Sequence, residues 1–207
     1  MAPTIARPAF WIAVMLSLVL VGGMVAVSAI AWNHVPATVP THWNAQGQPD
    51  GFGSRAMGLL MTPVLGAFFA LLMGVIALFE PKKEYFRPNL RGYAMLWISM
   101  VAFCAALHGF LVATYLGFFL PFNAVLLTLI GGLYTAIGLS AWHMHSDPRS
   151  RKVQRLVSIC FACFGPVLMA LAWVLPPTAG IVVMIVGTIL ISLGLVIFVA
   201  INESIAT

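Results

Sequence analysis

One histidine and three cysteines lie inside otherwise apolar stretches of this sequence, and they are its best-placed chemical groups. His108 is the one side chain near the middle of such a stretch that can carry charge at neutral pH, and an intramembrane ionisable residue is a functional candidate facing a bundle interior. Cys104 stands four residues earlier, on the same face of a helix, and Cys160 and Cys163 share a face because they are three apart. Thiolates with one imidazole make a Cys3His set suited to zinc or Cu(I). The competing expectation is a neutral, hydrogen-bonded His108 among cysteines acting as small apolar residues. A disulfide between Cys160 and Cys163 does not suit helical spacing.

Two further groups contain histidine. His143 and His145 flank Met144 at the end of an apolar stretch, where they can bind a borderline cation or answer the negative end of a helix. His34, His42 and Asp50 fall in one short polar segment, where hydrogen bonds that stiffen a loop compete with metal binding. No Ser/His/Asp or Cys/His set on a recognisable scaffold, phosphate loop or HExxH motif is present, so the sequence predicts no enzyme and needs no cofactor beyond the metal just considered. The five acidic residues all lie outside the middles of the apolar stretches, which leaves no obvious proton relay.

The elements that must position these groups are membrane helices. Of 207 residues, 62% are hydrophobic and 7% charged, against about 25% charged in soluble domains. Too little polar surface remains to cover a water-facing exterior. Backbone groups in lipid must be satisfied internally, and long apolar runs without alternation select helices over a barrel. The expected fold is all-α, a single polytopic bundle over residues 1–207 with spans near 10–32, 57–79, 93–119, 122–142, 154–175 and 179–201. The first run has an apolar part too long for a signal peptide and reads as a retained helix.

Nine of the ten basic residues (Arg7, Lys82, Lys83, Arg87, Arg91, Arg149, Arg151, Lys152 and Arg155) fall on one side of these spans, and Arg55 on the other. The positive-inside rule then places both termini in the cytoplasm. It also accounts for the net charge of +5 without nucleic acid. A basic lipid-binding patch is a competing use of the same residues.

Small residues recur every fourth position and predict close helix contacts. They are Gly58, Thr62, Gly66, Ala70 and Gly74 in the second span, Ala105, Gly109, Ala113 and Gly117 in the third, and Ala124, Thr128, Gly132, Ala136 and Ser140 in the fourth. The sixth span carries Gly180, Gly187 and Gly194 at intervals of seven. A weak repeat pairs Leu120-Pro121-Phe122-Asn123-Ala124, followed by Gly132, with Leu175-Pro176-Pro177-Thr178-Ala179, followed by Gly187; two such hairpins would run parallel.

The distinctive non-helical segment lies between the first two spans, at residues 34–56, on the expected outer face. Pro36 and Pro40 discourage helix, Gln46-Gly47 and Asp50-Gly51 signal turns, and Trp43 and Phe52 suit the headgroup level. A short folded cap is expected. The run VPTHWNAQGQPDGFGSR, with Pro40, His42, Trp43, Asn44, Gly47, Asp50, Gly51, Phe52, Gly53 and Ser54, resembles the extracytoplasmic segment of SdpI-like bacterial membrane proteins. The basic segment EPKKEYFRPNLRGY is similar to that family's link into its third helix. The resemblance covers roughly residues 32–140. The family's Gly-Ile-Arg-Thr-Pro-Trp-Thr type signature after the fourth span is absent, and AWHMHSDPRSRKVQRL stands there instead.

The resemblance implies a multi-pass protein of the bacterial cytoplasmic membrane of the immunity and signalling type, which recognises a peptide toxin or an envelope stress signal outside and signals to a soluble regulator inside. His42, Trp43, Asn44, Asp50 and Phe52 are then the expected ligand-binding residues. Two alternatives come from the rest of the chain: a small-molecule or metal-ion carrier built on Cys104, His108, Cys160 and Cys163, and an accessory subunit packed by its small-residue ridges into a larger membrane complex.

Overall fold

The computed structural model describes residues 8–79, 83–144 and 151–204. Six helices and one hairpin follow in order: α1 (Pro8–Ala31), β1 (Thr38–Trp43), β2 (Pro49–Ser54), α2 (Arg55–Phe79), α3 (Lys83–Tyr115), α4 (Phe122–Trp142), α5 (Arg151–Leu171) and α6 (Pro177–Ser204). All six helices carry windows apolar and long enough to cross a bilayer. The shortest, at 21 residues, extends ~31 Å, enough for a hydrocarbon core of about 30 Å. The chain is a polytopic helical bundle. Arg7, Lys82, His145 and Arg149 lie outside the described residues, so the pairing of His143 with His145 does too.

The third helix begins at Lys83, well ahead of the expected start at 93, and two helices end short of the sequence expectation. The third span was expected to run to residue 119, but α3 stops at Tyr115 because Gly117 takes a left-handed φ of +92°. The Phe118 N–H then reaches back to the Ala113 carbonyl and the Gly117 N–H to Thr114, a Schellman closure that satisfies the last carbonyls. The fifth span, expected to reach residue 175, ends at Leu171, where the chain tightens into turns ahead of Pro176 and Pro177.

The bundle has two parts. In the first, α1, α2 and α3 pack together around Phe10, Ala13, Ala77, Trp97 and Val101 at one end, and around Ala31, Leu59, Leu111, Val112 and Tyr115 at the other. The second is the α4–α5 pair, the most extensive helix contact in the molecule, with α6 laid against it. None of the membrane-spanning window of α6 is buried.

The α4–α5 contact is backbone against backbone. A Cβ on Gly138 would lie 2.4 Å from the Ala162 nitrogen, and one on Gly165 would lie 2.4 Å from the Gly131 carbonyl. The face that makes the contact is therefore Gly131, Thr135 and Gly138, one residue away from the expected ridge, and Gly132 meets nothing. On α3 the expected ridge also misses: Gly109 faces open space while Val101, Cys104, His108 and Tyr115 are buried. The α2 ridge does serve as expected, with Gly66 against Met24 and Gly74 against Trp97. Gly132 and Gly187, paired in the apparent repeat, are not equivalent, because Gly187 packs on the Phe164 ring.

Candidate functional site

The hairpin forms at the end of the bundle where α1 finishes and α2 begins. Its turn runs from Asn44 to Gln48, through the first of the two expected turn signals, Gln46-Gly47, and not through the second, Asp50-Gly51. The Asn44 side chain caps that turn, its Oδ1 accepting from the N–H groups of Gln46 (3.0 Å) and Gln48 (2.9 Å), the local bonding that favours Asn in turns. Gly47 supplies the left-handed φ of +78° that the turn requires. Asp50 and Gly51 instead lie in β2, where the register slips opposite His42. There the close approach explains the glycines: a Cβ on Gly51 would sit 2.8 Å from that of His42, and one on Gly53 2.9 Å from Thr41 Cγ2.

Contacts at four places fix the hairpin to the helices. Val39 is buried, and Gly58 of α2 lies against its side chain. The Trp43 ring stacks on Phe122 of α4, centroids 4.0 Å apart and planes 10° from parallel. Asn123, next along α4 and itself buried, donates from Nδ2 to the Ala45 carbonyl at 2.8 Å. At the base, Ser54 caps α2 by accepting from the Met57 N–H, while Arg55 donates to the Pro36 carbonyl and lies over the Trp32 ring.

The residues expected to bind a ligand divide accordingly. Trp43 and Asn44 are half-buried and hold the structure. His42, Asp50 and Phe52 are exposed. His42 Nδ1 and Asp50 Oδ1 meet at 2.5 Å across the strands. His34 takes no part and remains in the turn after α1.

Beside the turn opens a cleft of about 360 Å³ between the hairpin and the facing ends of α4, α5 and α6. Gln46 and Asn123 give it polar walls; Leu120, Phe122, Leu127, Trp173 and Pro176 give it apolar ones. Trp173 is oriented by its indole N–H, which donates to Thr128 Oγ1 at 2.9 Å. Asn123 and Trp173 were not anticipated as site residues; the signal was the polar Asn immediately after Pro121-Phe122 at a span entrance.

His108 sits among hydroxyls, not thiols. Its Nδ1 is 2.8 Å from Thr62 Oγ1 of α2, and its Nε2 is 3.3 Å from Ser28 Oγ of α1. Ser28 gives its own proton to the Leu59 carbonyl at 2.8 Å, so towards the imidazole it accepts. The network thus assigns the ring proton to Nε2 and makes Nδ1 the acceptor of the Thr62 hydroxyl. Seven residues separate His108 from the end of α3, which puts it ~10 Å from the hairpin-side end of that helix rather than midway along the span.

The Cys3His set is not assembled. Among the described residues no three His, Cys, Asp or Glu side chains come close enough to share a metal ion. The reason is architectural: α3 turns His108 and Cys104 towards α1 and α2, while α5 packs on α4 and leaves Cys163 exposed.

Neither the curated proteins nor the solved structures give a match to this chain. One family does, described as Domain of unknown function (DUF1648), over residues 19–67. That is about a quarter of the chain, and it takes in the C-terminal part of α1 with Ser28, the whole hairpin, and α2 as far as Thr62 and Gly66.

Proposed function

We propose that this chain is a non-enzymatic membrane protein that recognises a peptide at its outer surface, in the manner of SdpI-like immunity proteins. The observation that supports this most is the pairing of a fixed hairpin with an open amphipathic cleft. Ordering is complete before any ligand arrives, since Trp43, Asn44 and Asn123 already hold the turn in place. A preorganised surface gives up little entropy on binding. The cleft takes an apolar side chain on its Phe122–Trp173 walls, while Gln46 and Asn123 offer polar contacts; the exposed His42–Asp50 pair lies on the hairpin outside the cleft lining. In this reading the basic ends of α3 and α5 face the cytoplasm, where a soluble regulator can meet them.

The test is protection. A bacterial strain sensitive to secreted membrane-active peptides should survive a higher dose of at least one of them when it expresses this chain. Asn123→Ala and Trp173→Ala should each remove that protection at unchanged protein level in the membrane. Unchanged killing across a broad peptide panel, with the protein confirmed in the membrane, would count against the proposal.

A further inference from the structure

The end of the bundle opposite the hairpin carries a second cavity, of about 430 Å³, between the last turn of α4 and the first two turns of α5. Its lining includes two cations, Arg151 and Arg155 on α5, and the imidazole of His143 just past the end of α4. Arg151, Gln154, Arg155 and Ser158 stand at positions i, i+3, i+4 and i+7, so one face of α5 lines the space. Among the described residues no carboxylate pairs with either arginine.

The wall on the α4 side is held from two directions. Gln154 donates from Nε2 to the carbonyls of Ala141 (2.6 Å) and Met144 (2.5 Å), closing the end of α4. On the other side Gly92 of α3 lets that helix approach so closely that a Cβ there would fall 2.6 Å from the Ser140 carbonyl. His143 is therefore presented from a fixed backbone, and the two arginines from a helix packed glycine-to-backbone against α4. Trp142 adjoins the cavity and is 55% exposed, an aromatic of the kind that settles at the headgroup level.

A cationic cavity at the ends of the α4 and α5 spans, with an exposed Trp beside it, suits a phosphodiester anion. Arginine recognises phosphate oxygens bidentately, and basic pockets between helices on the cytoplasmic side are suited to anionic headgroups. We propose that His143, Arg151 and Arg155 form a specific site for the phosphate of an anionic phospholipid. This goes beyond peptide recognition and does not depend on it.

Native mass spectrometry of the purified full-length chain, with phosphatidylglycerol and phosphatidylcholine added in equal amounts, tests the site. Phosphatidylglycerol should be retained preferentially. Arg151→Gln with Arg155→Gln should weaken its binding at least about tenfold, given ~1 kcal/mol for each basic residue near an anionic surface. Arg91→Gln with Lys152→Gln removes the same charge from residues outside the cavity lining and should change binding less than about twofold. Equal losses in the two double variants would show bulk charge at work and overturn the proposal, as would the absence of any lipid preference. If the first double variant does not fold, Arg151→Lys with Arg155→Lys serves instead: it keeps the charge, and a loss of preference of several-fold is expected from the missing bidentate contacts. Millimolar glycerol 3-phosphate should not displace the lipid; tighter binding of this free phosphate than of the lipid would reassign the cavity to a soluble ligand and overturn the lipid assignment.

Discussion

Thr62 Oγ1 lies 2.8 Å from Nδ1 of His108, joining two helices through side chains that are both almost wholly buried. Ser28 completes the connection to a third helix. A polar network in a lipid-facing bundle fixes register, because each group has a matched partner in only one arrangement. Hydrogen bonds of this kind contribute about 0.6 kcal/mol on average and up to ~1.7. Thr62→Val is expected to lower stability by that order, measured by unfolding in mixed micelles. Combined with His108→Leu it should cost less than the sum of the single changes. Simple additivity would mean that the two side chains do not act together.

The α4–α5 pair offers a contrast between neighbouring glycines. Gly138→Ala must push a methyl group into the α5 backbone and is expected to destabilise the protein by about 1–3 kcal/mol. Gly132→Ala meets nothing within 4 Å and should be neutral within about 0.5 kcal/mol. Thermal unfolding of the two variants side by side decides it, and equal effects would contradict the contact.

Trp43→Ala removes the stack on Phe122. Aromatic pairs of this kind add about 0.5–1.5 kcal/mol beyond area burial, so hairpin amides should exchange hydrogen roughly two- to tenfold faster. Exchange within α5 should not change. Protection of the hairpin at its original level would show that Val39 and Asn123 suffice to hold it.

Orientation is open to direct labelling. A cysteine placed at Gln46 should react with a membrane-impermeant maleimide in intact cells. One placed at His143 should react only after the cells are opened. The reverse pattern would invert the assignment drawn from the basic residues and would move the peptide cleft to the wrong side.

Much of the fold was legible because a bilayer imposes so few solutions: six apolar runs became six helices. The hairpin was legible only in part. Asp50-Gly51 looks like a turn because that dipeptide favours one, yet Asn44 and Gly47 captured the turn with side-chain bonds, and the later glycines serve close packing of the strands. Facing residues on the helices were harder still. A residue ridge says that a backbone can approach, not which neighbour arrives, so Gly131, Thr135 and Gly138 make the contact while the ridge through Gly132 does not. His108 was correctly singled out for burial, but its partners depend on which helices α3 meets. Ser28 and Thr62 carry no local mark that would separate them from other hydroxyls in the spans.

The 46-residue separation of Thr62 and His108 also sets an order of events during synthesis. At roughly 5–20 residues per second, the first two helices enter the bilayer some seconds before the imidazole that will bind their hydroxyls exists. Arrested nascent chains that end before the third helix are thus expected to crosslink through Ser28 to lipid or to the insertion machinery. That contact should disappear once His108 has entered, so the third helix acts as the latch that completes the assembly of the first two.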